Sequence, residues 1–200
     1  MNVRNYSFIL MNWFILYNGM IGGDKMYTLT TKNITEMETE AIIFPLFANG
    51  NDDSFIQLDE KFQGELSNLK EAGDISNKYG KIAKFPTFNK IKSKRMYFVG
   101  LGAEKDMTKN SLRKAFGKLF KQLSKDEITD AALFAANLSR LSLDKEQIFE
   151  AIGEAHTLAP FVFSTYHTNK KEQDGVMTKL TIVGMEEKME EIVINSLKTG

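Results

Sequence analysis

Cysteine is absent from these 200 residues, which excludes a disulfide, a thiolate metal site and a cysteine nucleophile, and fits a reducing cytosol. Histidine is nearly absent too, at positions His156 and His167 alone. Neither belongs to an HExxH pattern and no thiol can complete a ligand set, so each is expected to be structural or exposed. Net charge is missing: 26 basic residues balance 26 acidic ones. No bulk field therefore recruits nucleic acid, an anionic membrane or an acidic substrate. A membrane span takes about 20 apolar residues, and the run Phe8 to Tyr17 is half that length and broken by Asn12. Serine is common, but no G-x-S-x-G elbow occurs.

What is present is an α/β alternation organised around Arg95-Met96-Tyr97-Phe98-Val99-Gly100-Leu101-Gly102. Four consecutive apolar residues, Met96 to Val99, need cover on both faces of a strand, so an inner strand with helices on both sides is expected. Gly100 and Gly102 suit a sharp turn after it. Leu112, Ala115, Phe116, Leu119, Phe120 and Leu123 then recur at helical spacing, with Lys114, Lys118 and Lys121 on the opposite, solvated face. Burying those six side chains contributes on the order of 10 kcal/mol as an upper figure.

Upstream, Tyr27 to Thr30 alternates like an outer strand, and Ala41 to Phe47 is a buried run that Pro45 should end or confine to an edge. Asn49 to Ser54 reads as a loop. Phe55, Leu58, Phe62, Leu66 and Leu69 fall on one helix face, with Ser54 as cap and Gly73 as terminator. Lys81 to Phe85 pairs with the Arg95 strand. Downstream come a strand at Asp130 to Ala135 and a helix through Ile148, Ile152 and Ala155 opened by an Asp144/Gln147 capping box. Gly153 permits close packing of that helix. A strand at Thr178 to Gly184 and a stripe of Met185, Met189, Ile192, Val193 and Leu197 complete the chain.

Residues 1–25 differ from the rest. Asn12, Tyr17 and Asn18 make a poor signal-peptide core. Gly22-Gly23-Asp24-Lys25-Met26 back-translates as GGA GGT GAT AAA ATG, a ribosome-binding sequence ahead of a start codon. Met26 is accordingly expected to be the natural first residue, with 1–25 a leader and 26–200 the domain; different glycine and aspartate codons in the gene remove that argument.

Candidate sites are sparse. Gly100-Leu101-Gly102 opens like a dinucleotide fingerprint, but Lys105 stands where the third glycine belongs. Glu36, Glu38 and Glu40 alternate and can share one side of an extended segment, yet a calcium loop needs more oxygen ligands around a turn, so a solvated edge is expected. The basic segment Lys90, Lys92, Lys94, Arg95 reads as a solvated loop. No catalytic, cofactor or metal residue is assigned.

The run Lys94 to Gly102, followed by Thr108 and Leu112-Arg113-Lys114-Ala115, resembles the amino-terminal domain of the cytosol (leucyl) aminopeptidase family, and Glu154 to Lys171 is similar to a later segment of it. Ala155 and His156 depart from the glycine and apolar residue usual there, and His167 stands near an expected lysine. The resemblance covers roughly 26–197 and implies a three-layer α/β/α sandwich with a mixed, largely parallel sheet, similar to macro domains. It further implies a cytoplasmic two-metal hydrolase, with zinc or manganese, that releases amino-terminal residues from peptides as a hexamer. The metal ligands of that family lie in a catalytic domain outside these residues, so this chain is expected to be inactive alone, with that domain and further copies as partners. A stand-alone macro-like module binding ADP-ribose or another nucleotide is the alternative, on the likeness of Glu40 to Phe44 and Asn49 to the first strand and loop of such binders. Membrane and nucleic-acid partners are not expected; Lys90 to Arg95 offers a small basic patch for a DNA-binding reading.

Overall fold

In the computed structural model residues 25–48, 53–159 and 177–200 are described. The leader, except Lys25, lies outside them, as do Asn49 to Asp52, His167 and most of the later family-like segment.

Six strands form one sheet: β1 (Met26–Thr30), β2 (Ala41–Phe47), β3 (Ile82–Pro86), β4 (Arg95–Gly102), β5 (Asp130–Phe134) and β6 (Lys179–Val183). Their order is β1-β6-β5-β2-β4-β3, parallel throughout except for β3 against β4. The sheet is therefore mixed and largely parallel, with β1 at an edge as its alternation predicts. Five α-helices are described: α1 (Asp53–Lys61), α2 (Glu65–Ala72), α3 (Lys109–Lys125), α4 (Lys145–Leu158) and α5 (Glu190–Thr199).

The apolar run of β4 divides between two cores. Tyr97, Val99 and Leu101 join the core built with α3, α4 and α5, whereas Met96 and Phe98 join the core beneath α1 and α2. Alternation of side chains across a strand makes this division, and helices on both faces yield the three-layer sandwich. Gly100 has a different role from the expected turn. A Cβ there would stand 2.2 Å from the Lys78 carbonyl oxygen, so the glycine lets segment 76–78 lie against the strand. The turn falls at Gly102, whose φ is +75°.

Five local expectations are corrected. Pro45 neither ends β2 nor lies at an edge: β2 is an inner strand, fully buried. Its pairing with β5 stops at Ile43, so no N–H is required on that side at position 45, while pairing with β4 continues through Pro45 and Val99. The Asn137 side chain donates to the Pro45 carbonyl at 3.2 Å, supplying a bond where the β5 ladder has stopped.

The helix expected across Phe55 to Leu69 is two helices. Gln63 and Gly64 take left-handed backbone at φ +59° and +84° and break it. Ser54 sits inside α1 and not at its cap. The buried Asp59 carboxylate accepts from the backbone N–H of Leu66 at 2.8 Å and of Ser67 at 3.3 Å, and from the Ser67 hydroxyl, satisfying the first turn of α2. Phe55, Leu58, Phe62 and Leu66 still enter one core because the break preserves their side. Asp59→Ala is expected to cost about 1–2 kcal/mol in urea unfolding; unchanged stability would show that α2 needs no cap.

Asp144 occupies the N-cap position of α4 but makes no side-chain cap bond. The capping box lies at α3, where Thr108 and Ser111 bond reciprocally. Ile192 points away from the core and is exposed, because Val193, Ser196 and Leu197 form the buried side of α5.

Candidate functional site

The connection after β2 leaves through α1 on one face of the sheet, whereas the connection after the adjacent β5 leads to α4 on the other. Divergence of this kind opens a crevice at the carboxyl ends of parallel strands. A cleft of about 400 Å³ lies there, walled by α1, the ends of β2, β5 and β6, and residues 31–35 that follow β1.

Its floor is aromatic. Phe44 of β2 and Phe134 of β5 stack with ring centroids 4.9 Å apart and 5° between planes. Phe55 of α1 meets Phe44 edge-on at 6.4 Å. The polar lining comprises Lys32, Lys61, Glu60, Gln57 and hydroxyl-bearing residues such as Thr31 and Thr35. Asn33 is occupied locally: its side-chain oxygen accepts from the Thr35 N–H and hydroxyl at 3.0 and 2.9 Å. Among the described residues Glu60 is the one carboxylate lining the cleft, beside the ammonium groups of Lys32 and Lys61. Of these lining positions only Phe44, within the Glu40 to Phe44 run, was linked to binding from sequence, since the lining comes from five separated segments. The local signal is an aromatic residue in both strands, Phe44 midway along β2 and Phe134 at the end of β5.

The acidic residues weighed above do not converge. Glu36 falls in a short 3-10 turn, Glu38 pairs with Lys92 at 2.7 Å, and Glu40 accepts from the Thr129 N–H at 2.7 Å and the Asp130 N–H at 3.3 Å. The Thr129 backbone bond is the main influence holding Glu40 below the ordinary carboxylate range. Asp126 is partly buried, which works against its charge, yet bonds from Lys84, Gln122 and Tyr97 keep its carboxyl low. Glu150 and Glu154 of α4 are bound by Lys109 and Arg113 of α3. Among the described residues no three histidine, aspartate or glutamate side chains stand together as a metal site. Of the carboxylates described, Glu38, Glu40, Asp126, Glu150 and Glu154 serve as caps or ion-pair partners.

The basic segment is tied down at most of its positions. Lys90 reaches the Phe62 carbonyl at 3.3 Å, Lys92 is held by Glu38, and Arg95 donates to the Asp126 carbonyl at 3.0 Å.

His156 is structural. Its Nε2 lies 2.8 Å from the Met177 carbonyl oxygen, which only accepts, so Nε2 carries the proton and Nδ1 accepts from the Tyr27 hydroxyl at 2.9 Å. Burial lowers its pKa to about 4, opposed by the Met177 bond and assisted by the charge of Lys25. Burial likewise raises Tyr27 to about 12 and lowers Lys25 to about 8. The ring ties β1 and the approach to β6 to the end of α4.

Residues 43–170 match the model of the cytosol aminopeptidase family, N-terminal domain. The chain belongs to that family. A tomato leucine aminopeptidase variant superposes on this N-terminal family domain with a TM-score of 0.64 at 15% identity, over 88% of this chain and 36% of that one. The chain therefore spans about a third of that enzyme's length. The macrodomain of Mycobacterium tuberculosis DarG has a TM-score of 0.59 at 13% identity, over 82% of this chain and 100% of that one. A Trypanosoma brucei macrodomain solved with ADP has 0.57 at 10%, over 86% and 68%. These likenesses show the macro-like α/β sandwich expected for this N-terminal domain. Among the described residues no helix is long and apolar enough to cross a membrane.

Proposed function

We propose that this chain is the non-catalytic amino-terminal domain of a cytoplasmic metallo-aminopeptidase that releases amino-terminal residues from peptides. Its role is in assembly and in shaping access to an active site carried by a further domain, where two divalent ions supply the chemistry. The match of residues 43–170 to the family's N-terminal domain carries the reading. Carboxylates committed to caps and ion pairs support it. The purified chain, supplied with manganese or zinc, is expected to leave leucine p-nitroanilide intact; metal-dependent release of the anilide would refute it. Deleting this domain from the enzyme that carries it should change the number of subunits per particle found by light scattering or its preference for long peptides over the anilide. An enzyme altered in neither respect has no need of the domain for assembly or access.

A second reading rests on the cleft at the strand ends. Its stacked phenylalanines and its two lysines, Lys32 and Lys61, suit a planar, anionic ligand such as ADP-ribose. Calorimetric titration with ADP-ribose separates the two. Saturable binding weakened by Lys61→Glu favours a nucleotide-binding module, and flat heats leave the aminopeptidase role alone.

A further inference from the structure

On the layer away from that cleft, a groove of about 410 Å³ runs between α3 and α4. We propose that it is a docking surface for an acidic, amphipathic helix of a partner protein, an assignment independent of the aminopeptidase role.

Charge supplies the first argument. Toward the start of α3, Lys109 and Arg113 are neutralised by Glu150 and Glu154 across the helix pair. Further along, Lys114, Lys118 and Lys121 line the groove and make no ion pair among the described residues. Their spacing puts three ammonium groups along one side of the helix. An isolated lysine row is ordinarily a solvated face, but here it borders apolar surface. Leu158 of α4 is 53% exposed beside it, and Ala155 and Ala159 continue the apolar lining.

Gly117 supplies the second argument. Glycine in a helix interior lowers stability relative to alanine, and proteins retain it where a backbone must come close. Among the described residues a Cβ on Gly117 would meet nothing within 4 Å, unlike Gly153 in the neighbouring helix. The fold therefore has no packing need for glycine at 117. Its missing side chain leaves the groove open at the level of the lysines, where an apolar face can sit against α3 while its flanking carboxylates reach the ammonium groups. The net charge of the row selects acidic over basic helices.

The probe is a fluorescein-labelled peptide of about 16 residues, long enough to hold a helix, with leucines on one face and glutamates flanking them. A scrambled peptide of equal composition is the control. Anisotropy should show saturable binding of the first peptide and at least about tenfold weaker binding of the second. The triple variant K114E/K118E/K121E should weaken binding by about tenfold or more, in line with loss of several rim charges. Gly117→Leu should do the same by filling the groove. Gly117→Ala should raise the melting temperature, confirming that the chain itself does not need glycine there. Circular dichroism and melting curves establish that each variant folds, since all four positions lie outside the buried side of α3. Failure of the first peptide to bind overturns the proposal, as does equal binding of the scrambled peptide or indifference to Gly117→Leu. Self-association abolished by the lysine reversals, or binding to phosphatidylglycerol vesicles with none to the peptide, assigns the groove to another occupant and equally overturns it.

Discussion

Gly153→Ala is expected to destabilise the domain by about 2–3 kcal/mol, although alanine is the better helix former by about 1 kcal/mol. The new Cβ would stand 2.3 Å from the Leu197 carbonyl oxygen and 2.9 Å from its carbonyl carbon. Both are backbone atoms of α5, so no side-chain rotation relieves the overlap. The helices must separate, and Val193, Leu197 and Ile152, all buried at this contact, lose packing. Urea unfolding of the variant beside the parent chain measures the difference through the shift in midpoint. The same substitution at Gly117, where the added atom meets open space, should have the opposite sign and stabilise by up to about 1 kcal/mol. Equal effects at the two positions would mean that helix propensity, and not the approach of α5, governs Gly153.

Acidification from pH 6.5 to 4 is expected to remove about 3 kcal/mol of stability through His156 alone. In the fold its pKa is depressed from 6.5 to about 4. Between those values the unfolded chain takes up the proton first, so the stabilising contribution is present above pH 6.5 and lost as pH falls toward 4. The groups around the ring explain why protonation is resisted. Burial removes water, the Lys25 ammonium disfavours a second positive charge, and the Tyr27 hydroxyl is a donor to a neutral Nδ1. Only the bond to Met177 favours the charged form. Glu40, Asp126 and Glu154, all with lowered values in the fold, add their losses further into acid, below about pH 4.5. Urea midpoints measured at closely spaced pH values should slope by about one proton across the histidine window. His156→Gln, which keeps a polar side chain of similar reach, should flatten that part of the curve while leaving the lower one. A parent curve already flat from pH 6.5 to 4 contradicts the buried neutral imidazole.

Much of the architecture was readable because it depends on periodicities only a few residues long. Met96 to Val99 required cover on both sheet faces, and Leu112 to Leu123 required a helix with one buried side; both features are present. The break at Gln63-Gly64 was not readable in the same way. Apolar spacing continues across it, and the Asp59 carboxylate that caps the new helix is recognisable as a cap only once Leu66 and Ser67 are folded over it. Pro45 misled for a related reason. A proline is excluded where a ladder bond is required, and whether one is required depends on where β5 stops pairing and where Asn137 lies. The cleft was hidden as well, because its aromatic floor and its lysines come from segments that meet only when β2, β5 and α1 are assembled.

By itself the order of residues determined the α/β alternation, the buried sides of its strands and principal helices, and the absence of thiol chemistry. Those properties reside in single side chains or in spacings within one element. Tertiary structure decided which glycines the fold requires, the protonation state of His156, the break between α1 and α2, and the locations of cleft and groove. Each depends on atoms brought together from distant parts of the chain, such as Gly153 against Leu197 or His156 against Tyr27. A close approach or a desolvated ring exists only after the layers have packed, and that is the reason no local pattern contains it.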